Sequence, residues 1–149
     1  MSRIVDTKAY LDTAVSLLHS GKDHIPVPVS GDSMCPFLRP GDTVYLSSPS
    51  GSHRPGDIVL YRRKNGAYIL HRIIRTGKGS IVLICGDNQT VLEPVNAPEQ
   101  ILAQVACVER KGRHISPKSV TWRFYATFWR WLRIFRPTLT KLYKMLKTR

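Results

Sequence analysis

Nowhere in its 149 residues does this chain contain 18 consecutive apolar residues, the length a helix needs to cross a bilayer. A membrane-spanning helix is therefore not expected. The three cysteines, Cys35, Cys85 and Cys107, are odd in number and form no C-x-x-C pair, so neither a disulfide framework nor a zinc site is indicated. Reduced thiols in a reducing compartment are expected instead. The N-terminal stretch carries Asp6 and Asp12, and its apolar runs are only two or three residues long; it reads as neither a signal peptide nor an anchor. No internal repeat is present. The scarcity with the widest consequence is of acid. Residues 1–109 hold 11 Lys+Arg against 10 Asp+Glu, whereas residues 110–149 hold 12 Lys+Arg and no acid at all. A nearly neutral body thus carries a strongly basic tail, which calls for an anionic partner, either a membrane surface or nucleic acid.

What is present reads as three segments. Residues 1–24 contain a short helix over 6–20, with Tyr10, Ala14, Leu17 and Leu18 at helical spacing and Gly21 as its stop. Residues 25–116 form a mainly β body. The Pro-interrupted stretch at 25–29 suits an edge strand. Strands are expected at 43–46, 58–62, 68–74, 80–85 and 101–110, where Val, Ile, Leu and Tyr alternate with Pro-Gly-Asp, Asn-Gly and Gly-Asp-Asn turns. Asn65-Gly66 between two such runs is a hairpin signal. Residues 117–149 form a basic tail of two amphipathic helices, 120–135 and 138–148, broken at Pro137. In it Trp122, Tyr125, Phe128, Trp129, Leu132 and Phe135 interleave with Arg123, Arg130 and Arg133.

The segment from Ser30 through Gly31, Asp32, Ser33, Met34, Cys35 and Pro36 to Gly41-Asp42 carries the chemistry. A serine in a turn is ordinarily a solvated turn residue. Here the surrounding pattern resembles the nucleophile box of signal peptidase I, G-x-S-M-x-P-x-L followed by G-D. Gly56-Asp57-Ile58-Val59 is similar to that family's G-D-I-V strand. His71-Arg72 is similar to its base-bearing strand, and Gly86-Asp87-Asn88 to its G-D-N box. The four boxes occur in the family's order over residues 27–108. Histidine before the arginine resembles the endoplasmic-reticulum and archaeal form rather than the lysine form.

The resemblance implies a signal-peptidase-like, SOS-repressor-like coiled β-sheet body and a serine endopeptidase. Ser33 would be the nucleophile and His71 its general base, because a hydroxyl needs a neighbour to take its proton and neutral imidazole can do so near pH 7. Asp87 would orient the base, with Glu93 as a possible second acid. Ser30 and the Ser33 N–H would form the oxyanion hole, and an extended peptide would pair along 27–30. No metal or cofactor is implied. Activity is expected to rise through roughly pH 6 to 7, around the ordinary histidine pKa. His19, His24, His53 and His114 read as surface residues, Lys64 as a solvated turn residue, and Cys35 as packing. Two other functions remain open: a self-cleaving regulator of the SOS-repressor type, and a non-catalytic peptide-binding module. The tail, residues 118–149, is expected to meet an anionic membrane surface from the cytoplasmic side as a peripheral protein. Nucleic acid is the less favoured partner, since no base-reading motif is present. A chain ending near Arg113 is expected to keep the body folded.

Overall fold

The computed structural model describes residues 7–147; Asp6 and Thr148, the outer limits of two expected helices, lie outside them. Helix α1 (Thr7–His19) buries Leu11, Ala14, Val15 and Leu18. Their i, i+3, i+4, i+7 spacing is the core stripe, one position off the expected Tyr10/Leu17 face. Tyr10 lies toward the edge of that stripe, and its hydroxyl donates to the Pro26 carbonyl at 2.6 Å.

The body is one antiparallel sheet of eight strands: β1 (Ile25–Pro28), β2 (Thr43–Ser47), β3 (Ile58–Arg62), β4 (Tyr68–Thr76), β5 (Ile81–Cys85), β6 (Glu93–Asn96), β7 (Ile101–Arg110) and β8 (Arg113–Ile115). Their spatial order is β1-β2-β7-β3-β4-β5-β6, with β8 paired to β7. The expected mainly β architecture is what the chain adopts. Strand β6, strand β8 and the short helix α2 (Ala97–Gln100) were not legible: each is three or four residues long, and Pro94 interrupts β6. The β3–β4 hairpin turns at Asn65-Gly66, where Gly66 has φ +87°, a conformation glycine adopts without steric penalty.

Strand β3 lies between β7 and β4 and is covered on both faces, so Ile58, Val59, Leu60 and Tyr61 are all buried. Alternation sends Ile58 and Leu60 into one core with α1, Phe37, Leu38, Val44 and Val108. Val59 and Tyr61 enter a second core with Ile73, Val82, Ile84 and Val95.

The tail is helical throughout 120–147. It runs as α3 (Val120–Phe124), a π-helical segment (Tyr125–Trp129), a 3₁₀ turn (Leu132–Phe135) and α4 (Arg136–Lys147). Pro137 does not break it; it sits in the first turn of α4, where its missing N–H has no intrahelical partner to lose. Ser119 caps α3 by accepting from the Trp122 N–H. Trp122 is 4% exposed and belongs to the first core, its ring edge-on to Phe37 at 5.3 Å. The helix passes so close to Gly56 that a Cβ there would lie 2.9 Å from that of Ala126. A chain ending near Arg113 would lack Trp122, a residue of the first core.

Candidate active site

Ser33 lies in the loop joining β1 to β2. Gly31, at φ +77°, turns the chain in a conformation that only glycine adopts readily. Met34, Phe37 and Leu38 are buried behind it and pin the loop to the first core. Ser33 is left half-exposed. Its carbonyl accepts the Asn88 N–H at 2.9 Å, so the 86–90 loop holds the Ser33 segment from behind. A side chain at position 86 would place its Cβ 2.5 Å from that carbonyl, which explains the glycine of the Gly86-Asp87-Asn88 box.

Ser30, Ser33 and His71 line one cleft of about 710 Å³, together with Val27, Val29 and Met34. Among the described residues no hydrogen bond joins Ser33 to His71, and the Ser33 N–H donates to no acceptor. A serine–base hydrogen bond commonly tightens only when substrate is bound. Strand β1 is the free edge of the sheet beside this cleft. Val29 donates its N–H to the Asp42 carbonyl at 2.8 Å, so by alternation Pro26 and Pro28 face outward. With the Pro26 carbonyl held by Tyr10, the outward edge next to Ser33 offers the Pro28 carbonyl and Ser30. It can accept a short extended peptide but not a long ladder.

His71 sits on β4 opposite Val59, and Tyr61 lies two residues further along β3 on the same face. The imidazole is 4% exposed. Burial, and secondarily the Arg63 charge, depress its pKa to about 4, well below the value around which the sequence placed the rise in activity. The ring is neutral at pH 7. Its Nδ1 lies 3.4 Å from the Tyr61 hydroxyl, which donates to Glu93 Oε2 at 2.6 Å. Burial and that bond raise the Tyr61 pKa well above its ordinary value, so the phenolic proton stays on Tyr61, directed at Glu93. The hydroxyl oxygen can then only accept from His71, which assigns the proton to Nδ1 and leaves the Nε2 lone pair available as a base. Glu93 is itself held by a two-point ion pair with Arg63 at 2.8 and 2.9 Å, which lowers its pKa.

Asp87, expected to orient the base, has both carboxylate oxygens on Arg72. Arg72 is the neighbour of His71 on β4, and successive side chains point to opposite faces. The guanidinium, fully buried, holds both Asp87 oxygens at 2.9 and 2.8 Å. It also donates to the Gly56 carbonyl at 2.9 Å and lies 5.0 Å from the Phe37 ring centre. One side chain thus ties together all four sequence boxes. The other box aspartates are likewise braces: Asp42 pairs with Arg110, and Asp57 accepts the Arg54 N–H. The residue that sequence reasoning missed is Tyr61, which looks like one more buried strand residue until the β3–β4 register and β6 are known.

The three cysteines are free thiols. Burial raises the Cys35 pKa, which suits packing rather than nucleophilic reactivity. Lys64 lies exposed in the hairpin turn.

The tail reaches the same region. The Trp129 indole N–H donates to the Asp87 carbonyl at 2.9 Å, and Arg136, 2% exposed, donates to the Gly86 and Gln89 carbonyls at 3.0 and 2.9 Å.

Compared with known proteins, residues 2–108 match a family model described as Peptidase S24-like. No curated protein and no solved structure matches the chain.

Proposed function

Since the chain belongs to the Peptidase S24-like family, we propose that it is a serine endopeptidase in which Ser33 attacks the scissile carbonyl and His71 takes the serine proton. The observation that carries this reading is the shared cleft: a half-exposed serine and a buried neutral histidine line one groove beside a free sheet edge. As the Ser33 Oγ–carbon bond forms, its proton passes to His71 Nε2. The imidazolium keeps its Nδ1 proton on the Tyr61 hydroxyl, whose own proton remains directed at Glu93. The negative charge on the carbonyl oxygen is met by the Ser33 N–H and the Ser30 hydroxyl. Collapse breaks the amide bond, His71 protonates the departing amine, and water then hydrolyses the Ser33 ester by the same route. Tyr61 and Glu93 act as positioning residues, while Asp87 keeps the loop behind Ser33 in place. Within the family, the four ordered boxes favour the histidine form of signal peptidase I over a repressor, and cleavage next to small residues, as in that resemblance.

Self-cleavage is favoured by a different observation: Thr7, Tyr10 and Leu11 of α1 line the same cleft. One experiment separates the readings. Wild-type and Ser33→Ala chains are incubated with a peptide library, and all products, including the protein itself, are weighed by mass spectrometry. New peptide termini from wild type alone support an endopeptidase acting in trans. A shortened protein with an untouched library supports self-cleavage. Peptides retained but uncut support a binding module, and equal cutting by Ser33→Ala removes Ser33 from the mechanism.

A further inference from the structure

The helical run 120–147 has two faces of different fates. Its inner face is consumed by the body: Trp122 fills the core, and Arg130, Arg133 and Arg136 donate to the carbonyls of Ile74, Thr90 and Gly86. Three of the tail's cations are therefore occupied in capping the body. The outer face is uncovered. Phe128, Trp131, Phe135, Leu142 and Leu146 follow one another at intervals of three, four or seven residues and are all exposed, Trp131 at 81%. Such spacing places them along one stripe. Beyond Arg136, every described side chain through Lys147 is exposed, including Lys141, Lys144 and Lys147. A helix of 12 residues whose described side chains beyond Arg136 are exposed is marginal in water, and an exposed apolar stripe of this length marks an interaction surface.

We infer that this outer face docks on an anionic lipid bilayer. The partner must offer both an apolar layer for the stripe and negative charge for a segment, residues 110–149, that holds 12 Lys+Arg and no Asp or Glu. A second copy of the chain is disfavoured, because it would set one basic tail against another. Nucleic acid would meet the charge but leave the aromatic stripe in water. A bilayer interface satisfies both demands: aromatic and aliphatic side chains enter the headgroup boundary, and lysines meet anionic lipid. The docked helix would hold Gln89, on the rim of the cleft, through Arg136, so the groove lies one loop from the bound helix.

This inference does not depend on catalysis, so Ser33→Ala should bind as wild type does. The test is sedimentation of the full chain with phosphatidylcholine vesicles, with and without phosphatidylglycerol. The double variant Trp131→Glu/Leu142→Glu, altered only at exposed positions, serves as comparison. Wild type should pellet with the anionic vesicles at low salt and be released as salt rises. The variant should melt at the wild-type temperature and partition at least about tenfold less. Failure of wild type to pellet with anionic vesicles at low salt overturns the inference. So does equal pelleting by the double variant, or preferential capture by duplex DNA offered in competition.

Discussion

If His71 is the base, as proposed, its environment sets when it can work. Water is excluded from the ring and Arg63 lies near it, and both disfavour the imidazolium, so the pKa falls to about 4. The neutral form is the active one, so kcat/KM should climb with rising pH around pH 4 to 5 and be level through pH 6 to 7. A pH–rate profile with its acid limb centred near the ordinary histidine value of about 6.5 would show His71 solvated or not the base. The same shift has a stability consequence. Between about pH 6.5 and 4 the unfolded chain binds the proton that the folded chain refuses, so this group's contribution to stability declines as pH falls through that window. Tyr61 and Asp87 should part company on substitution. Tyr61→Phe removes the hydroxyl that meets both the imidazole and Glu93, and should lower kcat roughly 10- to 100-fold with KM little changed and a melting temperature above that of Asp87→Ala. Asp87→Ala strands the buried Arg72 guanidinium and should destabilise the fold by about 3–5 kcal/mol, taking activity with it. Equal melting of the two variants would contradict this division of roles.

At the scale of elements, the strands were legible where composition and turn chemistry agreed. The Asn65-Gly66 hairpin and the apolar runs of β2, β3, β4, β5 and β7 lie where alternation and Gly-Asp turns placed them. Asp87 and Glu93 were both named from the sequence, but not which groups each of them meets. Glu93 reaches Tyr61 across 32 residues, through a strand too short and too proline-interrupted to be read, and Asp87 belongs to Arg72 because adjacent residues on β4 face opposite sides of the sheet. The tail defeated periodicity for another reason. Aromatics occupy both of its faces, so spacing could not tell that Trp122 and Trp129 turn inward while Trp131 and Phe135 turn out. The consequence is measurable. Trp122→Ala should cost about 3–5 kcal/mol of stability, and a chain ending at Arg113 should lose its cooperative thermal transition, because core residue Phe37 would lose both Trp122 and Tyr125. A shortened chain that melts as the full chain does would mean that the tail contributes nothing to the body.

Across the whole molecule, two devices converge on one loop. From within the sheet, Arg72 binds Asp87, Gly56 and the ring of Phe37. From outside, Trp129 and Arg136 hold the carbonyls of residues 86, 87 and 89. Between them sits the backbone bond from Asn88 to Ser33, which holds the Ser33 segment at the cleft. Under the proposed function, this bracing would hold the attacking oxygen in one position. The most direct measurement is the acyl-enzyme itself. Wild-type protein is mixed with a peptide it cleaves, quenched in acid during turnover, and its intact mass and digest are recorded. The expected result is an added mass equal to the N-terminal product less water, carried by the fragment containing Ser33 and absent from Ser33→Ala. An adduct carried by any other residue would contradict it.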